Sequence, residues 1–147
     1  MGALENKRLM QEIFAAVAKG DGALFVESLA DDATMTVTGQ NSWSRTFTGK
    51  ASILEDLFGY LRTVLAQPRQ TIARRFIADG DFVVVEAKGD MVTRAGVRYD
   101  NDYCLVYRLD SGKIVEIREY NDSALCERIL GAFPSAQSEP PIVRKAT

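Results

Sequence analysis

The chain has 147 residues, with hydrophobic residues at 46%, charged residues at 26%, 18 Lys+Arg against 20 Asp+Glu, and no histidine. That length and balance suit one globular domain able to bury its own core. The missing histidine excludes a Ser-His-Asp triad, a Cys-His dyad and a histidine metal site, and a net charge of −2 with scattered basic residues offers no footprint for a nucleic-acid backbone.

Residues 4–19 place Leu9, Ile13, Ala16 and Val17 at helical spacing and predict an amphipathic helix. Gly20-Asp21-Gly22 ends it. A second, shorter helix follows, with Leu24, Phe25 and Leu29 inward. Met35-Thr36-Val37-Thr38 alternates as a short strand, and residues 39–47 form a loop or hairpin holding Trp43. Gly49 introduces a third helix over about 50–66 with Ile53, Leu54, Leu57, Leu61 and Val64 as its apolar stripe, and Pro68 closes it.

The second half changes character. Residues 70–78, 82–93, 97–109 and 113–120 are strand-like, and the short turn-rich gaps between them demand antiparallel hairpins. A last helix starts near Asp122 with Leu125, Ile129 and Leu130 inward. Residues 134–147, with Pro134, Pro140 and Pro141, read as a loose tail behind a domain of residues 1–133. Helices first and hairpins afterwards predict an α+β fold, a curved antiparallel sheet wrapped around the N-terminal helices as a cone whose mouth is an apolar pocket for a small hydrophobic molecule.

The N-terminus lacks the pattern of a secretory signal, and apolar runs such as Phe82-Val83-Val84-Val85 are too short to span a bilayer, so no membrane partner is expected. Cys104 and Cys126 do not make a disulfide framework, which fits a reduced, cytoplasmic protein. Phosphate-loop, dinucleotide and metal-ligand spacings are absent, so neither cofactor nor metal is expected.

Three stretches carry a resemblance. They are Leu29-Ala30-Asp31-Asp32-Ala33-Thr34, Phe47-Thr48-Gly49-Lys50, and the block from Tyr103 to Tyr120 with Asn121-Asp122-Ser123-Ala124-Leu125 behind it. Over about residues 4–131 the chain resembles the SnoaL-like and ketosteroid-isomerase-like branch of the nuclear-transport-factor-2-like fold. That branch contains isomerases, cyclases, hydrolases, dehydratases and binding domains, so the resemblance speaks to fold more than to chemistry. The ketosteroid isomerase base falls on Val37, its oxyanion tyrosine on Ile13 and its protonated aspartate near Leu105, all apolar here. The arginine and first aspartate of limonene-epoxide hydrolase fall on Ala87 and Gly89, and its other aspartate on Glu119. SnoaL-type cyclases resemble the chain most, because their single base on the last strand also falls on Glu119.

Strand parity leads to the same residue. Val115, Ile117 and Glu119 share one face by alternation, which sets a carboxylate among aliphatic side chains. Desolvation would raise its pKa, which suits a general base; a structural acid paired with a nearby Tyr, Asn or Arg is the alternative. Asn101, Tyr103, Leu105 and Tyr107 share a face of the neighbouring strand. Tyr103 would donate to a ligand carbonyl or enolate with Asn101 orienting it, or would pack as core with its hydroxyl on Glu119.

Met35, Val37, Val85, Ala87, Gly89 and Met91 would line the same interior, and Trp43, Phe58 and Tyr60 either line it or fill it. Trp43 is a lid or a packing anchor. Asp122 reads best as a helix cap. Cys104 and Val106, beside Val84, point to the outer sheet face, which suggests a homodimer interface. The leading expectation is a cofactor-independent isomerase, cyclase or dehydratase with Glu119 and Tyr103 catalytic; the rival is a binding or dimerisation domain of the same fold.

Overall fold

A computed structural model describes residues 2–134. It runs α1 (Ala3–Val17), α2 (Ala23–Ser28), β1 (Leu29–Val37), β2 (Thr46–Thr48), α3 (Lys50–Ser52), a π-helical stretch (Ile53–Phe58), α4 (Gly59–Val64), β3 (Gln70–Asp79), β4 (Phe82–Asp90), β5 (Asp102–Asp110), β6 (Lys113–Asn121) and α5 (Ser123–Leu130). The tail expected over 134–147 lies, beyond Pro134, outside the described residues.

The strands form one curved, unclosed sheet in the order β2-β1-β6-β5-β4-β3. Neighbours are antiparallel except β1 and β6, which run parallel. A parallel pair needs a long crossover, and here β2, the helical run and the β3–β5 meander supply it. That pairing explains why β1 is longer than its predicted core of 35–38. Leu29, expected inside the second helix, is the first strand residue and sits opposite Ile114.

α1 covers the inner faces of β3 and β4. Glu5 accepts from the Gly2 amide at 2.8 Å, which serves a free amide of the first turn. The buried stripe is Asn6, Met10, Ile13 and Phe14, while Leu9 and Val17 are only half-buried. Phe14 sets the rotation, meeting Phe76 and Tyr107 edge-on at 5.9 and 6.1 Å. Gly20 then stops the helix with φ +81, and a Cβ there would stand 2.6 Å from Cβ of Pro68. Only glycine meets both demands.

The single helix predicted over 50–66 is one helical run with a π-type middle. The amide of Gly59 reaches back to the Leu54 carbonyl. Among the described residues no helix is long and apolar enough to cross a membrane.

Besides a bulge at Arg74 of β3, where Ala73 pairs with Ala87 but Arg75 with Glu86, the meander differs from strict alternation in two places. First, β4 ends at Asp90 and β5 starts at Asp102, so residues 91–101 leave the ladder that the predicted strands 82–93 and 97–109 would share. This segment makes isolated bridges instead, Leu65 to Thr93 and Val92 to Arg98. Second, β6 carries a bulge: Arg108 pairs with Glu116, but Leu109 pairs with Ile114. Val115 is the extra residue. Ile114 is therefore buried and Val115, expected inward, is half-buried; beyond the bulge Ile117 and Glu119 keep the inner face. The turn before β6 places Ser111 and Gly112 at φ 51 and 77, both left-handed, as a two-residue hairpin requires.

Truncation separates the two parities. Ile114→Ala is expected to cost about 2–5 kcal/mol in urea unfolding, as for a buried isoleucine, and Val115→Ala less than half of that. Equal costs would mean that the bulge is absent in solution.

Candidate functional site

Between the sheet, α1 and the π-helical stretch the structure leaves a cavity of about 350 Å³. Its walls are mostly apolar, with Met35, Val37, Leu105 and Ile117 from the sheet and Leu54, Leu57 and Phe58 from the π-helical stretch. Part of this wall is set by local helical spacing. Leu54, Leu57 and Phe58 stand at i, i+3 and i+4, a spacing that shares one helical face, and all three reach the cavity.

Glu119 lines this cavity with Val37 beside it on β1 and Leu105 beside it on β5. Its backbone carbonyl is held by the amide and hydroxyl of Thr38 at 3.0 and 2.9 Å. Asn121, next along the same strand face, donates Nδ2 to Glu119 Oε2 at 2.9 Å. Burial pushes the Glu119 carboxyl up to about 7, against smaller opposing pulls from Asn121 and from the cation of Arg69.

Tyr103 also lines the cavity, between Ala87 on β4 and Asn121 on β6. Burial first, then Tyr99 and Glu119, hold its hydroxyl far above the usual range, so it stays a donor. The hydrogen bond to Glu119 comes from Asn121, not from Tyr103. Arg62, Gln67, Arg69, Thr71, Tyr99 and Cys126 complete the polar part of the lining. Burial raises Cys126 to about 11 and Tyr99 further, which keeps both protonated at neutral pH.

Nine of the residues expected at the site from the sequence meet at this cavity, Trp43, Phe58 and Met91 among them. Trp43 packs as an anchor: it is 2% exposed, donates Nε1 to the Gly131 carbonyl at 2.8 Å, and meets Phe133 edge-on at 4.9 Å and the tilted Tyr60 ring at 5.6 Å. Four residues expected at the ligand lie elsewhere. Val85, Ala87 and Gly89 are buried on the inner sheet face but do not line the cavity. The room at Gly89 is taken by Tyr103, whose Cε2 would stand 3.3 Å from an added Cβ.

Asn101 is fully buried and spent on structure. Its Nδ2 donates to the Tyr99 hydroxyl and the Asp122 carbonyl at 2.9 and 3.1 Å. Its Oδ1 accepts from the amides of Asp102 and Asp122 at 2.8 and 3.1 Å. Asp122 in turn caps α5, accepting from the Leu125 amide at 3.1 Å.

Sequence reasoning missed Asn121, Tyr99, Arg62 and Arg69. Asn121 had a signal: it follows Glu119 at strand spacing, but the strand was ended at Tyr120. Arg62 and Arg69 had none, because isolated arginines at the end of a helix and in a connection read as solvated. Among the described residues no three acidic or cysteine side chains are arranged to hold a metal ion.

The sequence pattern of the SnoaL-like domain matches residues 10–117. The chain belongs to that family. The matched stretch of this SnoaL-like chain includes most of the cavity wall and stops just before Glu119. No curated protein matches the sequence.

Solved structures share the fold at low identity. An NTF2-like protein of unknown function from Burkholderia pseudomallei K96243 superposes with TM-score 0.74 at 20% identity, over 86% of this chain and 98% of that one. A protein assigned as a SnoaL-like polyketide cyclase from Jannaschia sp. CCS1 gives 0.70 at 14%, over 90% and 95%. TerC, co-crystallised with polyporic acid, gives 0.73 at 20%, over 86% and 98%. These likenesses show the fold, and chemistry has to be argued from the site.

The raised Glu119 carboxyl links folding to pH. Between about pH 4.5 and 7 the folded chain keeps a proton that the unfolded chain has released. Stability therefore falls as pH rises through that window. Glu119→Gln removes the penalty, so the variant is expected to be more stable than the parent by about 2–3 kcal/mol at pH 8 and equal to it at pH 4, read by urea unfolding at both values. A pH-independent difference would place the carboxylate in water.

Proposed function

We propose that this SnoaL-like chain is a cofactor-independent acid–base catalyst acting on a small, largely apolar carbonyl compound. The observation that carries the reading is one half-buried carboxyl group that lines an apolar cavity with its pKa raised to about 7, and a tyrosine held protonated in the same cavity. A base is most effective when its pKa lies near the working pH. The cyclase assignment of the Jannaschia structure and the polyporic acid of TerC support a ring-sized organic ligand for this fold.

In this mechanism the Glu119 carboxylate takes the proton from the carbon next to the carbonyl. The C–H bond electrons pass into an enolate, and the Tyr103 O–H donates to the developing enolate oxygen. Return of the proton at another carbon gives isomerisation. Attack of the enolate carbon on a second carbonyl, with the Glu119 proton going to the new alkoxide, gives ring closure, and loss of a β-hydroxyl as water, protonated by Glu119, gives dehydration. Asn121 steadies the carboxylate through Oε2 and leaves Oε1 for the substrate proton. Asn101 acts at one remove, by fixing Tyr99 and the start of α5.

A second reading, a non-catalytic ligand-binding domain, draws on the same hydrogen bond: Asn121 already gives Glu119 a structural partner. Deuterium exchange separates the two. With 2-tetralone in D2O, followed by proton NMR, the protein is expected to speed exchange next to the carbonyl with a half-maximal rate near pH 7. Glu119→Gln should lower that rate by about 10²–10⁴-fold. Exchange undiminished in the variant would sink the base assignment, and no acceleration by the parent protein would favour the binding domain.

The homodimer expected from the sequence stays part of this proposal. Ile72, Ile77, Phe82 and Tyr120 share the outer sheet face and are exposed, with Val84, Cys104 and Val106 half-buried among them. Sedimentation at micromolar concentration is expected to give the dimer mass; a monomer would refute this arrangement.

A further inference from the structure

Two arginines border a cavity whose walls are otherwise mostly apolar, and neither role proposed for Glu119 or Tyr103 uses them. Arg69 leads into β3 and is half-buried, with its guanidinium carbon 5.2 Å from the centre of the Phe58 ring. Its Nε is shielded from solvent and has no hydrogen-bond partner. Among the described residues Arg69 forms no ion pair. Arg62, on α4, lines the same cavity and adds a second positive charge.

Arg45 offers a contrast. Its Nε is also unpartnered, but the side chain donates to the Ser42 carbonyl at 2.7 Å, packs over Phe133 and does not line the cavity. It is explained by packing, and Arg69 is not. A buried N–H without an acceptor is costly unless something answers it. Guanidinium presents its donors in a planar fork that fits a carboxylate with two parallel bonds.

We propose that Arg69, assisted by Arg62, is an anion-receiving site of the cavity, and that the ligand is an organic acid with an apolar ring-sized body and a carboxylate. This rests on reading the cavity as a ligand site and adds its substrate class. The body would lie along Leu54, Leu57 and Phe58, with the carboxylate on Arg69. Burial and the neighbouring Arg62 both hold the Arg69 pKa below the ordinary arginine value, as expected of a cation that lacks a local counter-charge. Glu119 is the carboxylate that Arg69 feels, but the two form no ion pair and both line the same cavity.

The test is calorimetric titration of the full chain with 2-naphthoate and with 2-naphthamide, which differ in the charged group and keep the ring. The acid is expected to bind at least about tenfold tighter than the amide. Arg69→Gln should abolish that preference, bringing the acid to the affinity of the amide in the same variant, and Arg69→Lys should keep part of it. Arg62→Gln, at an exposed position, should reduce the preference severalfold and serves where Arg69→Gln does not fold. Equal affinities, a preference that survives both glutamine variants, or no binding of the acid at millimolar concentration would overturn the proposal. Glu119→Gln should keep the preference, so a failure of the base mechanism in deuterium exchange is separate from a failure here.

Discussion

A carboxyl group that shares a sheet face with Ile117 and faces Val37 and Leu105 across the neighbouring strands has to stay neutral, be hydrogen-bonded, or be answered by a cation. Glu119 meets these demands in part and none of them fully. Burial raises its pKa to about 7, Asn121 supplies one hydrogen bond, and Arg69 acts without contact. The result is a group that is half ionised at neutral pH. A firmer ion pair would have made it a plain structural acid, and a fully dry site would have left it protonated.

The rest of the fold keeps that balance possible. α1 is wedged across β3 and β4 by Phe14, so the inner faces of Val85 and Ala87 become core. The cavity is walled mainly by β1, β6 and β5, with the π-helical stretch opposite and α1 and Thr71 of β3 at its side. Gly89 makes room for Tyr103, which then stands beside Asn121 on the way to Glu119. Asn101 closes the system by joining Tyr99 to the start of α5. A residue expected to touch the ligand therefore acts on the geometry of residues that line the cavity.

Much of this was legible in the chain. The helices, the four-strand meander and the α5 cap follow from apolar spacing and turn residues, because these signals are local. Glu119 was legible because alternation beyond the bulge is intact from Ile117 onward. The bulge was not, since one extra residue leaves no compositional mark and Ile114 and Val115 are equally apolar. Asn121 was lost with the end of the strand. Val85, Ala87 and Gly89 were assigned to the ligand because parity reports which face a residue occupies but not which helix covers it.

The sequence by itself determined an α+β chain, the elements near their observed places, the exclusion of histidine chemistry, and a single carboxylate facing inward near the end of the last strand. These depend on residue identity and short-range spacing. The tertiary structure alone decided that β1 lies parallel to β6, that Tyr103 fills the space over Gly89, and that Asn121, Arg62 and Arg69 border the cavity that Glu119 lines. Those relations join residues far apart in the chain, and the positions of such partners are set by how the sheet curves and where α1 and the π-helical stretch come to rest on it.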